Sequence, residues 1–199
     1  MPKAVDHEAR RTGIISALIR LAAREGLHAV TMRAVAREAG VSVRLVQYYF
    51  HSKSELMLSA LRRLEEESRA RWATRLERLA KPRSLRSRLE KLFAEALPSD
   101  VESRTFHLVW TSYAVLAMTD PELAGPSFIE GPARLEQDLA EALRQGQAAG
   151  EVPADVDAAL EAALLTAITH GIGTSVLVGQ RSAEAAMTIL TYHLDRLFR

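Results

Sequence analysis

Arg44, Gln47 and Tyr48 share one face if residues 43–50 form a helix, and their side chains are of the kind that read base edges. Arginine can bond bidentately to O6 and N7 of guanine, glutamine can pair with adenine, and Val43 at the helix start can touch a thymine methyl. Lys53 lies just beyond, in the first turn of the next helix. A cation there opposes the helix dipole, so it suits a phosphate contact better than it suits helix stability. Tyr48 and Tyr49 are the least decisive of these residues, since paired aromatics on a short helix also serve as core.

Such a face has to be held at a fixed angle, and the residues around it encode how. A helix starting at Thr31, whose hydroxyl can cap it, must stop at Gly40, because glycine accepts the left-handed geometry of a helix C-terminus. Ser42 then restarts the chain, so Ala39-Gly40-Val41-Ser42 spells stop, turn and start in four residues. Val46 and Phe50 lie four apart on the face opposite Arg44, and with Val35, Ala36 and Val41 they supply a small core. Ser52 with Glu55 three residues later forms a capping box for the next helix.

Helix pairs about a glycine turn occur in many all-α proteins, and here the charge distribution adds weight to the DNA reading. Residues 1–60 carry nine Lys/Arg and five Asp/Glu, a net of +4, while the remainder carries seventeen and twenty, a net of −3. The near-neutral total hides a basic N-terminal module on a mildly acidic body, as suits a protein that meets a duplex on one side only.

Thr31 to Leu56, preceded by a helix from Arg10 to Gly26 and a short N-terminal arm, resembles the DNA-binding domain of the TetR family of repressors. The resemblance implies an all-α chain of about nine helices, with a three-helix helix-turn-helix domain followed by a larger helical regulatory domain. It also implies a homodimer on a palindromic operator, released from DNA by a small-molecule effector. Thr31, Arg33, Ser42, Val43, Arg44, Gln47, Tyr49 and Lys53 match the family's DNA-contacting positions, with Arg33 and the 43–47 segment nearest the bases. Gln47 stands where the family usually has Tyr, Tyr49 where it often has His, and Arg44 where a small residue is frequent. The operator sequence therefore cannot be borrowed from a relative.

The length of 199 residues allows a module over 1–56, linked through a helix at 53–80, and a second domain over 57–199 for ligand binding and dimerisation. No uninterrupted apolar run of roughly 20 residues is present, and residues 1–8 lack the apolar centre of a signal peptide, so a cytoplasmic protein is expected. The absence of cysteine excludes disulfides and thiolate chemistry and is compatible with that compartment.

Beyond residue 56 the chain reads as helices with punctuation. Expected helices cover Leu56 to Ala80, ended by Lys81-Pro82, then Leu85 to Leu97, then a segment capped by Asp100 and running to about Met118. Asp120-Pro121-Glu122-Leu123 opens the next segment. Gly125-Pro126 and Gly131-Pro132 are breakers that should leave Phe128 on a loop, with helix resuming from Arg134 to Gln147. Asp155 is expected to cap Val156 to Val178, and Ser182 to cap Ala183 to Phe198.

Met187, Leu190, Leu194 and Leu197 step by three, four and three, a coiled-coil-like seam. With Leu160, Leu164 and Ile168 on the preceding helix, this seam fits either an intramolecular core or a dimer interface. The TetR resemblance favours the interface, because family members usually pair their last two helices with those of a second subunit. The tail also resembles the regulatory domain of the branch that contains the choline/betaine-pathway repressor. Phe106, Trp110 and Tyr113 line one face at spacings of four and three, beside His107 and with Met118 at the far end. They could form plain core or, with Phe93 and Phe128, the walls of an effector pocket.

Other classes of function find little support. There is no nucleophile elbow, phosphate-cradling loop or His-Glu-x-x-His, and the six histidines lack metal-ligand spacing, so neither an enzyme nor a metal or other cofactor is expected. A DNA-binding architectural protein without a ligand remains the alternative to a ligand-responsive repressor.

Overall fold

The computed structural model describes residues 2–78, 84–119, 123 and 126–199. Among these, nine α-helices and one 3-10 turn account for the regular structure, and no strand occurs. The helices are α1 Pro2–Glu25, α2 Met32–Ala39, α3 Val43–Tyr49, α4 Lys53–Glu77, α5 Leu85–Ala96, α6 Val101–Ala117, α7 Pro126–Ala148, α8 Ala158–Leu177 and α9 Ala183–Leu197. The chain forms two compact units, Met1–Glu65 with Leu108–Phe128, and Glu66–His107 with Ile129–Arg199. Helices α4, α6 and α7 each contribute residues to both.

In the first unit, α1 presents Ile14, Leu18 and Leu21 at helical spacing, and all three are buried, as are Val35, Ala36, Val46 and Phe50 from α2 and α3. Val41 is only half-buried. Instead of a short arm, the residues from Pro2 onward belong to α1. Gly26 ends that helix at φ 82°, a value that an L-residue rarely adopts.

The core of the second unit joins Leu85, Leu89 and Phe93 of α5, Leu139 and Leu143 of α7, Ala162 and Leu165 of α8, and Ala186, Leu190, Leu194 and Leu197 of α9. Caps fix the helix ends. Asp100 accepts the Ser103 N–H at 2.8 Å, and the Ser182 hydroxyl accepts that of Ala185 at 3.1 Å. The cap of α8 is Asp157 and not Asp155: one Asp157 oxygen takes the N–H groups of both Ala159 and Leu160.

Two expectations about the middle of the chain change. Helix α7 runs straight through Gly131-Pro132, so Phe128 is helical and not on a loop. Pro132 lacks the N–H that would have reached the Phe128 carbonyl and crowds that carbonyl with its ring, yet the helix continues on either side. Helix α8 is long and apolar enough to meet the length and composition of a membrane span, although Thr166, Thr169, His170, Thr174 and Ser175 interrupt it. Its buried side forms part of the second unit's core. The expected helix end at Leu79 and Ala80, the Lys81-Pro82 stop, and Asp120, Pro121, Glu122 and Gly125 lie outside the described residues.

Candidate nucleic-acid interface and regulatory groups

Each local signal for the turn is realised. The Thr31 hydroxyl accepts the Ala34 N–H at 3.1 Å, Gly40 sits at φ 67°, and the Ser42 hydroxyl accepts the Leu45 N–H at 3.2 Å. The capping box closes from both ends: Ser52 accepts from Glu55 N–H at 3.1 Å, and Glu55 accepts from His51 N–H at 2.9 Å. With Val46 and Phe50 fully buried beneath it, α3 has one orientation available.

That orientation leaves Arg33, Arg44, Gln47, Tyr48 and Lys53 exposed, with Val43 and Tyr49 half-buried. Tyr48 is 66% exposed, a costly placement for a large ring unless something covers it. Basic residues of this unit divide into two sets. Arg24 and Arg20 both bond Glu38, at 2.9 and 3.2 Å, and hold its carboxyl below the usual range. Arg33, Arg44 and Lys53 make no ion pair with any described residue. Arg33 on α2, Arg44 on the exposed face of α3 and Lys53 at the start of α4 are thus available for phosphates and base edges.

Sequence reasoning missed two neighbours of this face. Arg37 is exposed one turn beyond Arg33 on α2, and its spacing could have flagged it. His7 packs edge-on to Tyr49 with ring centroids 5.9 Å apart, and its Nδ1 lies 2.7 Å from the Tyr49 hydroxyl. Nothing in the local sequence announces a contact across 42 positions.

The candidate pocket residues separate. In the first unit, Phe128 stacks on Tyr113 at 4.8 Å between centroids and leans on Trp110 at 5.9 Å, and the buried Tyr113 hydroxyl donates to the Leu123 carbonyl. Met118 does not join them. Its side chain is 80% exposed just past the end of α6, so it cannot be a pocket wall in this unit. In the second unit, Phe93 is packed within the α5–α7–α8–α9 core, and Phe106 lies half-buried with its edge to His107.

His107 is buried and donates through Nε2 to the Ala96 carbonyl. Gly173 makes room for it, since a Cβ at that position would stand 2.5 Å from the imidazole. Burial lowers the His107 pKa, partly opposed by the Ala96 bond. Burial and the nearby His107 push His170 down to about 4. The second unit also encloses a charged cluster in which Glu95 is held by Arg71 at 2.7 Å and Arg75 at 2.8 Å.

The last two helices require a correction. Leu190, Leu194 and Leu197 are almost fully buried against α5, α7 and α8 of their own chain, and Met187 and Ile168 pack against the same core. A seam already filled cannot be offered to a second chain. Leu160 and Leu164 do remain outside, at 70% and 45% exposed, and on α9 the outward residues are Ile189 and Tyr192, at 38% and 61%. These α9 residues are three apart, a second apolar stripe that the heavier leucine seam masked.

Residues 14–60 match the family described as bacterial regulatory proteins of the tetR family, and residues 85–199 match the C-terminal domain of BetI-type transcriptional repressors. A relative from Burkholderia lata, named HTH-type transcriptional regulator BetI, is 32% identical over 153 residues, covering 74% of this chain and 77% of its own. Three other curated relatives are matched over only 41%, 56% and 58% of their length. Among solved structures, a TetR-family transcriptional regulator from Rhodococcus sp. superposes with a TM-score of 0.84 at 25% identity, over 96% of this chain and 98% of its own. A transcriptional regulator from Saccharomonospora viridis, solved in complex with choline, gives 0.79 at 31% identity, over 96% and 95%.

Proposed function

Since the chain belongs to the TetR family of bacterial transcriptional regulators and carries a BetI-type C-terminal domain, we propose that it is a homodimeric repressor. It binds an inverted-repeat operator and lets go when a small molecule occupies its regulatory domain. DNA binding is assigned to residues 1–56 and ligand binding and dimerisation to 57–199, and the protein works in the cytoplasm, where its DNA lies. No catalytic step belongs to this function.

One observation carries the reading: Arg44, Gln47 and Tyr48 stand exposed on a helix whose start is capped by Ser42 and whose Val46 is buried together with Phe50, and Arg33, Arg44 and Lys53 make no ion pair with any described residue. Dimerisation is supported by Leu160, Leu164, Ile189 and Tyr192, an exposed apolar stripe on two helices that already contact each other. Doubled by a two-fold axis, that face would close a four-helix bundle; an inverted-repeat operator in turn requires two recognition helices about 34–36 Å apart, or at a multiple of that.

For the effector, the supporting feature is the α6 aromatic stripe around Trp110 and Tyr113. A small, largely apolar molecule fits such a surface, and aromatic faces also attract quaternary ammonium groups. The choline complex of the Saccharomonospora viridis relative makes choline the first compound to test. The tight Phe128–Tyr113 stack favours the rival reading, a regulator without a ligand.

The test is a titration of the DNA upstream of the protein's own gene, with and without choline and a panel of small apolar amphiphiles. Coupling of about 1–3 kcal/mol is expected, and it must be reciprocal. Trp110→Ala should keep DNA affinity and lose the response. Release by the variant at the wild-type effector concentration would move the site away from Trp110, and no response to any compound would favour the rival.

A further inference from the structure

We propose that His7 is a positioning residue for DNA binding: it donates a hydrogen bond to the Tyr49 oxygen, so that the Tyr49 hydroxyl proton is free for a phosphate oxygen of the duplex. The inference rests on the DNA-binding function proposed above.

A phenol has one hydrogen to donate, and a phosphate oxygen can only accept. The two atoms that meet here, His7 Nδ1 and the Tyr49 oxygen, are 2.7 Å apart, so one of them must donate to the other. If the Tyr49 proton goes to the imidazole, the hydroxyl faces DNA with lone pairs only and repels a phosphate. If Nδ1 carries the hydrogen, the imidazole donates, the phenol proton turns outward, and the oxygen bonds on both sides. A phosphate therefore selects the second arrangement, and in the neutral ring that choice fixes the tautomer with hydrogen on Nδ1.

Geometry makes the pair one unit. His7 lies edge-on to Tyr49 at 5.9 Å and tilted to Tyr48 at 6.5 Å, and the two tyrosines meet edge-to-face at 5.2 Å. The three rings form a cluster at the C-terminal end of α3, reached from α1. Tyr49 occupies the position where, by the resemblance, histidine is common and touches DNA. This chain has a tyrosine at that position and brings the exposed His7 against its hydroxyl.

The experiment measures binding to two duplexes, the DNA upstream of the protein's own gene and a random sequence at low salt. The proteins are the full-length wild type, His7→Leu, His7→Gln, Tyr49→Phe and the double variant His7→Leu/Tyr49→Phe. His7→Leu and Tyr49→Phe should each weaken both duplexes by about tenfold, the scale of one charge-assisted hydrogen bond. Each should leave the salt dependence unchanged, because no cation is removed. The double variant should lose no more than either single, and His7→Gln, whose amide can still donate, should stay within about twofold of wild type. Additive losses, or a His7→Leu protein that binds like wild type, overturn the proposal. His7 is exposed, so thermal melting should not move; a melting point lowered for His7→Leu with DNA affinity regained on cooling would mean a structural role and also overturns it. A wild type that binds neither duplex refutes the DNA-binding function itself, an outcome separate from failure of the His7 variants alone.

Discussion

Placing glutamate on the buried face of α9 or on the exposed stripe of α8 and α9 should break different things. Leu194 is fully buried in the core of its own chain, while Tyr192 is 61% exposed two residues away. Leu194→Glu must bury a carboxylate or expel it, and loses the packing of a leucine besides. The packing loss alone is about 2–5 kcal/mol, a large part of the ~5–15 kcal/mol that holds a typical domain together. Melting should fall by about 10 °C or more. Leu164→Glu, starting from 45% exposed, should cost the isolated subunit about 0.5 kcal/mol or less. In the dimer the same substitution occurs twice, once per subunit, because a two-fold interface uses the same patch from both sides. At roughly 2–3 kcal/mol per copy for lost apolar contact and a partly desolvated charge, dissociation should strengthen by about a thousandfold or more. Sedimentation velocity at low micromolar concentration, with melting curves recorded in parallel, reads both. Expected are a folded monomer for Leu164→Glu and Tyr192→Glu, and a destabilised protein for Leu194→Glu. A Leu194→Glu protein that melts like wild type but sediments as a monomer would return the leucine seam to the interface and refute the burial argument.

Arg44→Ala should relax base preference at a cost of about 1–3 kcal/mol, while Lys53→Ala should weaken all sequences alike and flatten the salt slope by about one unit; equal losses on operator and random DNA for Arg44→Ala would reduce it to a phosphate contact. Acid stability should be governed in part by His170, whose folded pKa of about 4 lies below its ordinary 6.5. Below pH 6.5 the unfolded chain takes up a proton that the folded chain refuses, so stability present above pH 6.5 is lost as the pH falls toward 4, by on the order of 3 kcal/mol. His170→Gln should flatten the decline measured by urea unfolding at pH 7, 6, 5 and 4; an unchanged slope would show that another group controls it.

What the sequence disclosed about the site is what short-range chemistry dictates. Gly40 reaches a left-handed φ, Thr31, Ser42 and Ser52 accept N–H groups three residues on, and Val46 and Phe50 turn inward together. All of these interactions span five residues or fewer, so residue type and spacing suffice to specify them. Once the two ends of α3 and its buried face are set, the side that carries Arg44 and Gln47 is determined, and no knowledge of the distant chain is needed. The His7–Tyr49 bond spans 42 positions and had no such signal.

The errors follow from the same distinction. A three-four leucine repeat says that one face of α9 is buried, but the partner that buries it is not written in α9. Here α5, α7 and α8 supply core residues from 21 (Leu165 to Ala186) to 112 (Leu85 to Leu197) positions away and fill the seam, which turns the weaker Ile189–Tyr192 stripe outward. Met118 likewise follows the spacing of Phe106, Trp110 and Tyr113 closely enough to look like their continuation. Helix α6 ends at Ala117, however, so the next residue leaves that face and its side chain enters water. Pro132 shows the converse case. A proline that would break an isolated helix is carried within α7, because Leu135, Leu139 and Leu143 downstream pack against the second unit's core, and their burial outweighs one missing backbone bond. In the leucine seam and at Pro132 a tertiary contact decides what the local pattern means, and at Met118 the end of the helix does. The proposal that a second subunit covers the apolar stripe of α8 and α9 rests on the same distinction: among the described residues, the chain's own helices leave Leu160, Leu164, Ile189 and Tyr192 uncovered.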